Sequence, residues 1–173
     1  MGLTQNDKEF QFCPVCGGGL NSLILKVNEL PRLRCSACGF IFYLDPKVVA
    51  CSIIEFEDKI VLLKRAIQPR KGKWTMPGGY VDRREEVTAA AIRETEEECG
   101  LKTGIKDLLG VYSYKGQLPV IIVYITQYLA GELIPGDETL ETGLFSEKQT
   151  PWNDLAFQST EDALKDYWER NNN

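Results

Sequence analysis

The chain has 173 residues, 43% of them hydrophobic and 26% charged, which is typical of a globular protein with a substantial core. Its 20 basic and 25 acidic residues give a net charge of −5, which argues against a general nucleic-acid-binding or anionic-membrane-binding protein. The chain contains no histidine, so Ser-His-Asp and Cys-His nucleophiles, histidine bases and histidine-ligated metals are excluded. Any catalysis must use carboxylates, metals or lysine.

The sequence carries no pattern that predicts membrane insertion or export. No apolar run approaches the roughly 18 residues that a membrane-spanning helix needs. The N-terminal residues are polar where a signal peptide is apolar. We therefore expect a cytoplasmic protein with no membrane partner.

Four of the six cysteines form two identical pairs, Cys13-x2-Cys16 and Cys35-x2-Cys38. The pairs are separated by 18 residues, which is within the range of four-cysteine zinc sites. Each two-residue spacer brings two thiolates together, and two facing pairs complete a tetrahedron around Zn²⁺. Two disulfides in a secreted protein are the alternative, but nothing else indicates secretion. We predict structural zinc bound by these four cysteines.

Residues 1–45 are therefore predicted to form a small zinc ribbon. Leu23–Leu25 and Leu30–Arg34 have the composition of short strands on either side of a turn at Asn28 and Glu29. A unit of this size has too little core to fold without its metal. Its nearly balanced charge favours a structural or dimer-forming role over nucleic-acid binding, and we expect a homodimer.

Asp45-Pro46 marks a boundary, after which residues 46–173 are predicted to form a second domain. Segments rich in β-branched residues predict five strands, at Val48–Phe56, Ile60–Arg65, Ile105–Tyr114, Val120–Leu129 and Leu140–Phe145. The first two strands are expected to form a hairpin. Two helices are predicted, Glu85–Cys99 and Thr160–Arg170, the second capped by Ser159 or Thr160. One helix embedded among strands predicts an α+β fold.

The end of the first predicted helix carries a dense acidic run, in which Glu94, Glu97 and Glu98 share one face at positions i, i+3 and i+4. Carboxylates there face the negative end of the helix dipole, at a cost of about 0.3–1 kcal/mol each. Glu94 and Glu98 also repel each other. A hard divalent cation such as Mg²⁺ or Mn²⁺ would relieve this repulsion. A solvated acidic face is the alternative, and this segment alone favours neither.

The wider segment, GYVDRREEVTAAAIRETEEECGL at residues 79–101, resembles the Nudix box, Gly-x5-Glu-x7-Arg-Glu-U-x-Glu-Glu-x-Gly-U, in which U is a bulky aliphatic residue. The fixed positions are matched by Gly79, Glu85, Arg93, Glu94, Glu97, Glu98 and Gly100. Leu101 fills the final U, whereas Thr95 departs from the pattern at the first. Met76-Pro77-Gly78 and Trp74 also resemble the residues that precede the box in this family.

The resemblance implies a Nudix α/β/α sandwich that hydrolyses a nucleoside diphosphate linked to another moiety, with a Mg²⁺- or Mn²⁺-activated water as nucleophile. The metal ligands that it implies are Glu94, Glu97, Glu98 and the backbone carbonyl of Gly79. The buried structural pair that it implies is Glu85 with Arg93. Without histidine a glutamate must take the proton from the attacking water. The candidates are Glu97, Glu98, Glu138 and Glu141, and the sequence leaves the choice among them open.

A four-cysteine ribbon joined to a Nudix box resembles the NADH pyrophosphatase group, but the Ser-Gln-Pro-Trp-Pro-Phe-Pro motif of that group is absent. The segments at 67–77 and 140–157 instead resemble a shorter ribbon-bearing subgroup that includes bacterial ADP-ribose pyrophosphatases and plant FAD pyrophosphatases. This resemblance implies cleavage of ADP-ribose, FAD or NAD(H) to AMP plus a phosphorylated moiety. The candidate substrate contacts are Arg65, Arg70, Trp74, Tyr80 and Tyr112.

Two alternative functions remain open at this stage. Removal of a nucleotide cap from RNA would need a basic path that this sequence barely offers. A non-catalytic Nudix sensor could bind nucleic acid or protein through the ribbon. The complete set of box glutamates argues against a sensor, since a protein that only binds has no need of all three.

Overall fold

The computed structural model describes residues 10–171, which form two compact units that divide between Asp45 and Pro46. The first unit is a three-stranded antiparallel sheet in the order β1-β2-β3. Its strands are β1 (Leu20–Leu23), β2 (Arg32–Cys35) and β3 (Ile41–Phe42). The first strand therefore lies three residues earlier than predicted. The sequence does not predict β3, because two residues are too few to leave a compositional pattern.

The second unit contains one seven-stranded mixed sheet and two α-helices. Its strands are β4 (Lys47–Phe56), β5 (Lys59–Arg65), β6 (Trp74–Thr75), β7 (Gly78–Tyr80), β8 (Leu101–Ser113), β9 (Pro119–Gly131) and β10 (Thr139–Phe145). Its helices are α1 (Val87–Cys99) and α2 (Gln158–Asn171). The strand order is β10-β5-β4-β9-β8, with β6 beside β5 and β7 beside β4. Only β4 and β9 run parallel.

The helices cover opposite faces of this sheet, as the side chains of β4 show. Ala50 packs against Ala90 and Ala91 of α1. The next residue, Cys51, belongs to the apolar cluster that includes Leu164 of α2. Successive side chains of a strand point to opposite faces, so β4 is buried on both. The second unit is thus the predicted α/β/α sandwich.

The predicted β4–β5 hairpin is confirmed near its turn, where Glu55 pairs with Ile60 and Phe56 with Lys59. Beyond those pairs the two strands separate. The short strands β6 and β7 occupy the space between them, β6 pairing with β5 and β7 with β4. This opening places the turn at residues 77–79 inside the sheet, next to α1.

The C-terminus of α1 is closed by hydrogen bonds from a distant loop. Gly100 adopts the left-handed conformation, with φ of +73°, and ends the helix as predicted. The N–H of Ile134 then donates to the carbonyl of Cys99 at 3.0 Å, and the N–H of Gly136 donates to that of Glu98 at 2.9 Å. The loop after β9 therefore satisfies carbonyls that a helix end otherwise leaves unpaired.

Both helices start at different residues from those predicted. α1 starts at Val87 rather than Glu85, because the Glu85 carboxylate folds back to accept a hydrogen bond from the N–H of Asp82 at 2.9 Å. α2 starts at Gln158, so the predicted caps Ser159 and Thr160 are wrong: both lie buried within its first turn. Within residues 10–171, no helix is long and apolar enough to cross a membrane.

Candidate metal-binding and active sites

The four predicted zinc ligands lie together in the first unit. Their Sγ atoms are all within 4.8 Å of one another. The Sγ atoms of Cys13 and Cys38 are 3.8 Å apart, and those of Cys16 and Cys35 are 3.5 Å apart. Four sulfurs bound to zinc at about 2.3 Å in a tetrahedron are separated by about 3.8 Å. The observed spacing therefore fits tetrahedral zinc, and none of the six cysteines, all in the described part of the chain, forms a disulfide.

The backbone around these cysteines favours the thiolate form of Cys35. The N–H of Cys38 lies 3.5 Å from the Cys35 Sγ and lowers the pKa of that thiol to about 6. Thiolate is the form that binds zinc. Gly17 and Gly39 have φ of +74° and +75°, as the tight turns after each pair require. Gly18 must also lack a side chain, because a Cβ there would lie 2.8 Å from the Ala37 side chain.

In the second unit, Glu94 and Glu98 of α1 pack against the start of β7. The N–H of Gly78 donates to the Oε2 of Glu98 at 2.8 Å. A Cβ built on Gly79 would lie 2.5 Å from the carboxyl carbon of Glu94, and one on Gly78 would lie 2.5 Å from the carbonyl oxygen of Ala50. Only glycine lets the backbone and the carboxylates approach this closely.

Arg93 donates hydrogen bonds to several groups around these glutamates. Its guanidinium makes a two-point contact with Glu85, at 2.8 Å and 3.0 Å. It also donates to Glu94 at 2.7 Å, to Glu97 at 3.0 Å and to the backbone carbonyl of Tyr80 at 3.1 Å. The hydrogen bonds from Arg93 lower the pKa of Glu85 to about 2. The side chains of Arg93 and Glu85 are 31% and 17% exposed, so this predicted buried pair is only partly buried.

The carboxylates beside the turn are poorly solvated and close to one another. Burial, together with the charges of Glu94 and Glu138, raises the pKa of Glu98 to about 7 against the hydrogen bond from Gly78. Burial also raises the pKa of Glu94, despite its contact with Arg93. Like charges held in a partly desolvated place favour a bound cation. An all-oxygen donor set fits Mg²⁺ or Mn²⁺.

The carboxylate oxygens of these glutamates do not surround a single point. We looked for places where three or more cysteine, aspartate or glutamate ligand atoms lie within 4.8 Å of one another. Within residues 10–171, only the four cysteines form such a group. Arg93 holds Glu94 and Glu97, and Gly78 holds Glu98. Metal binding would therefore require these carboxylates to move closer together, and we expect Glu94 to exchange its contact with Arg93 for the cation.

The two predicted acids beyond α1 lie in different surroundings. The charge of Glu138 acts on both Glu94 and Glu98 and raises the pKa of each. Glu141 lies further along β10 and forms an ion pair with Lys64 at 3.2 Å. The structure thus brings Glu138 together with the α1 glutamates and leaves Glu141 elsewhere.

The aromatic candidates for substrate contact differ in exposure. Tyr80 is 59% exposed and its ring centre lies 6.0 Å from the Nζ of Lys47. Trp74 is only 8% exposed and packs edge-on against Phe145 in the core. Tyr112 is half-buried and donates its hydroxyl to Asp166 at 2.8 Å. Of the three rings, only Tyr80 is exposed.

The two basic candidates for substrate contact differ in exposure and in their contacts. Arg70 is exposed and has φ of +65°. Arg65 is half-buried, its Nε donates to the carbonyl of Pro69 at 2.9 Å, and its guanidinium lies 5.1 Å from the ring centre of Phe157. Sequence reasoning included Phe157 only in a segment that resembles the ribbon-bearing subgroup and gave it no role, because its contact with Arg65 joins distant segments. It also missed Gly136, where a Cβ would lie 2.0 Å from the Glu97 carbonyl, although its position in a Gly/Pro-marked loop could have indicated a close approach.

Comparison with known families now identifies the chain. Residues 44–166 match the NUDIX domain family, and residues 11–44 match a family described as Nudix N-terminal. The first match covers well over half of the chain. The protein belongs to the Nudix family. It is therefore a Nudix hydrolase, with the ribbon and sandwich that its sequence predicts.

Individual Nudix relatives agree with this assignment. An ADP-ribose pyrophosphatase of Methanocaldococcus jannaschii is 39% identical over 148 residues, which cover 83% of this chain and 82% of that protein. The NAD-capped RNA hydrolase NudC of Vibrio vulnificus is 28% identical over 126 residues, 72% of this chain but only 46% of that protein. The crystal structure of a NUDIX hydrolase from Nitrosomonas europaea superposes with a TM-score of 0.88 at 40% identity, covering 93% of this chain and 92% of that one.

The departure from the Nudix box at Thr95 is accommodated without an unpaired polar group. Thr95 is fully buried in α1, where an aliphatic residue is usual. Its hydroxyl donates to the carbonyl of Ala91 at 2.8 Å. The β-branched side chain therefore fills the apolar position, while its oxygen is satisfied within the helix.

For the ribbon, we predict about one zinc ion per purified chain. Cys13→Ser and Cys35→Ser should lose most of the metal, because each removes a thiolate from a four-ligand site. Cys51→Ala, which changes a buried cysteine of the second unit, should keep it. Elemental analysis under reducing conditions measures this, and a wild-type protein with less than about half an equivalent would contradict the assignment.

For the α1 site, we predict that Glu98→Gln abolishes the rise in melting temperature caused by Mg²⁺ and lowers kcat about 100-fold or more. Without metal the variant should melt at the same or a higher temperature, because a poorly solvated like charge has been removed. Glu96→Gln is the matched control, since it makes the same change at a side chain on α1 that is 53% exposed. Full activity of Glu98→Gln would rule out the site.

The same carboxylate predicts a pH dependence of metal binding. The pKa of Glu98, raised to about 7, means that a cation must displace a proton below pH 7 but not above it. Mg²⁺ affinity should therefore rise with pH up to about 7 and then level off. Calorimetric titrations between pH 5.5 and 8.5 test this, and Glu98→Gln should flatten the profile; an equally steep profile in that variant would assign the proton to another group.

Proposed function

We propose that this Nudix hydrolase is a Mg²⁺- or Mn²⁺-dependent pyrophosphohydrolase whose preferred substrate is ADP-ribose, cleaved to AMP and a phosphorylated sugar. The observation that carries the chemistry is the mutual electrostatic effect of Glu94, Glu98 and Glu138, of which Glu94 packs directly against Gly79. The substrate is favoured by the relative named ADP-ribose pyrophosphatase, which the chain matches over 82% of that protein's length. FAD and NAD(H) carry the same diphosphate and remain alternative substrates.

Each side chain has a distinct task in this proposal. The bound cation would neutralise the diphosphate and lower the pKa of its own water. Glu94 and Glu98 hold the cation together with the carbonyl of Gly79. Glu138, which is exposed but electrostatically coupled to both, accepts the proton of the attacking water. Arg93 and Glu85 keep the loop before α1 in place.

Glu97 is a weaker candidate for direct contact with the cation. Its side chain is 58% exposed and its carboxylate lies 3.0 Å from the Nη1 of Arg93. We propose that it binds the cation through water at the rim of the site. In that position its carboxylate also shares the Arg93 guanidinium with Glu94.

NAD-capped RNA is a second candidate substrate, because several relatives are named NAD-capped RNA hydrolases. The chain spans about half the length of these relatives, with 46% of the Vibrio vulnificus protein covered. Its net charge of −5 also offers little attraction for an RNA backbone. We therefore favour a small nucleotide as the substrate. We further propose a cytoplasmic homodimer in which the zinc ribbon is structural.

A product assay tests the substrate proposal directly. ADP-ribose, FAD, NADH, NAD⁺ and a short NAD-capped RNA would each be incubated with the protein and Mg²⁺ or Mn²⁺ and separated by chromatography. We expect AMP and ribose phosphate from ADP-ribose, at the highest kcat/KM of the set. Preferential release of nicotinamide mononucleotide from the RNA would favour the second candidate. No turnover of any compound would refute the proposed activity.

The choice of general base leads to a paired prediction. Glu138→Gln should lower kcat about 100- to 10,000-fold with little change in KM, because it removes the proton acceptor but not a substrate contact. Glu141→Gln should lower kcat less than about threefold, since that carboxylate is paired with Lys64 on the protein surface. Steady-state kinetics with the best substrate distinguishes them. A larger loss in Glu141→Gln than in Glu138→Gln would reverse the assignment.

A further inference from the structure

A four-residue turn at residues 136–139 leads from the loop after β9 into β10 and carries Glu138 at its third position. The N–H of Thr139 donates to the carbonyl of Gly136 at 3.0 Å, which closes the turn. Glu138 is exposed, whereas Thr139, the residue after it, is only 8% exposed. The hydroxyl of a buried threonine needs a hydrogen-bond partner, because an unpaired buried hydroxyl costs free energy.

Both ends of the 136–139 turn are bonded to a single atom, the carbonyl oxygen of Glu98. The N–H of Gly136 donates to this oxygen at 2.9 Å, and the hydroxyl of Thr139 donates to it at 3.0 Å. Glu98 lies in the last turn of α1, where carbonyls lack partners within the helix. The two donors therefore fix the turn to the residue whose carboxylate is proposed to bind the metal.

The 136–139 turn is also bonded to the end of β5. The carbonyl of Glu138 accepts a hydrogen bond from the N–H of Ala66, which follows β5, at 2.8 Å. The pairing of β10 with β5 begins at Thr139 and shifts register between Thr139 and Glu141. The backbone of Glu138 is thus held between α1 on one side and the end of β5 on the other.

The carboxylate of Glu138 depends on this backbone for its position. Within residues 10–171 it accepts no hydrogen bond and forms no ion pair, although its charge acts on both Glu94 and Glu98. The turn also meets the backbone of α1 without an intervening side chain, since a Cβ on Gly136 would lie 2.0 Å from the carbonyl oxygen of Glu97. The distance between Glu138 and the α1 carboxylates is therefore set by how the turn is attached.

We propose that Thr139 is a positioning residue for Glu138: its hydroxyl, bonded to the carbonyl of Glu98, holds the proton acceptor beside the metal-binding carboxylates. A general base must lie within hydrogen-bonding reach of the water it deprotonates. A displacement of about 1 Å costs about 100-fold in rate. Glu98 then binds the metal through its side chain and the turn through its backbone. This inference rests on the proposed function, because Thr139 acts in the same reaction.

Steady-state kinetics tests the inference, with Mg²⁺ and the compound that gives the highest kcat/KM in the product assay. Thr139→Val keeps the shape of the side chain but removes the donor. It should lower kcat about 10- to 100-fold with less than about a twofold change in KM. Thr139→Ser keeps the donor and should bring kcat to within about threefold of wild type.

Thr103→Val is the matched control for the loss of a buried hydroxyl. Thr103 lies in β8 and is 4% exposed, and within residues 10–171 its hydroxyl has no hydrogen-bond partner. The same substitution there removes no contact, so kcat and KM should equal those of wild type.

Two further measurements separate positioning from general damage to the site. The Kd for Mg²⁺, measured by calorimetry, should change less than about twofold in Thr139→Val, because the hydroxyl contacts the carbonyl of Glu98 and not its carboxylate. In a Glu138→Gln background, Thr139→Val should have no further effect on kcat, because the residue on which it acts is gone.

Four results would overturn the inference and leave the proposed activity intact: wild-type kcat in Thr139→Val, a loss that Thr139→Ser does not recover, weakened Mg²⁺ binding, or additive losses in the double variant. If Glu138→Gln retains wild-type kcat, the inference fails together with the assignment of the base. A wild-type protein that hydrolyses no diphosphate would overturn both the inference and the proposed function.

Discussion

The repulsion among carboxylates at the C-terminal end of α1 is the constraint on which the active site depends. Glu94 and Glu98 are one helical turn apart, partly desolvated and near Glu138, and burial raises the pKa of Glu98 to about 7. A helix built for stability would place cations there. Instead the glycine turn approaches so closely that a Cβ on Gly79 would lie 2.5 Å from the Glu94 carboxyl carbon. We propose that a divalent cation relieves this repulsion.

The rest of the sandwich holds these acids where they are. β4 and β5 separate beyond their turn, which admits the residue 77–79 turn into the sheet beside α1. The loop after β9 pairs with the last carbonyls of α1 and leads directly to Glu138. Arg93 gathers Glu85, Glu94 and Glu97 from the outer side. In the first unit, the four cysteines lie close enough to bind zinc, which we propose stabilises a unit whose core is small.

Much of this was predictable because the chemistry is local in sequence. The spacing of the cysteine pairs predicts a four-cysteine zinc site, and the resemblance to the Nudix box assigns metal-binding roles to Glu94, Glu97 and Glu98, which lie within five residues. Contacts between distant segments were not predictable: the proximity of Glu138 but not Glu141, and the Phe157 ring under Arg65, depend on how β10 and the segment before α2 pack. The burial of Trp74 and the early start of α2 likewise follow from tertiary packing, which overrides local composition.

A crystal structure of the protein soaked with Mn²⁺, with the ion located by its anomalous scattering, tests the central claim most directly. We expect a peak coordinated by Glu94 and Glu98 and adjacent to the carbonyl of Gly79, with Arg93 released from Glu94 but still paired with Glu85. A second peak near Glu97 would agree with water-mediated binding there. Manganese bound only elsewhere, with Arg93 still holding Glu94, would contradict the account.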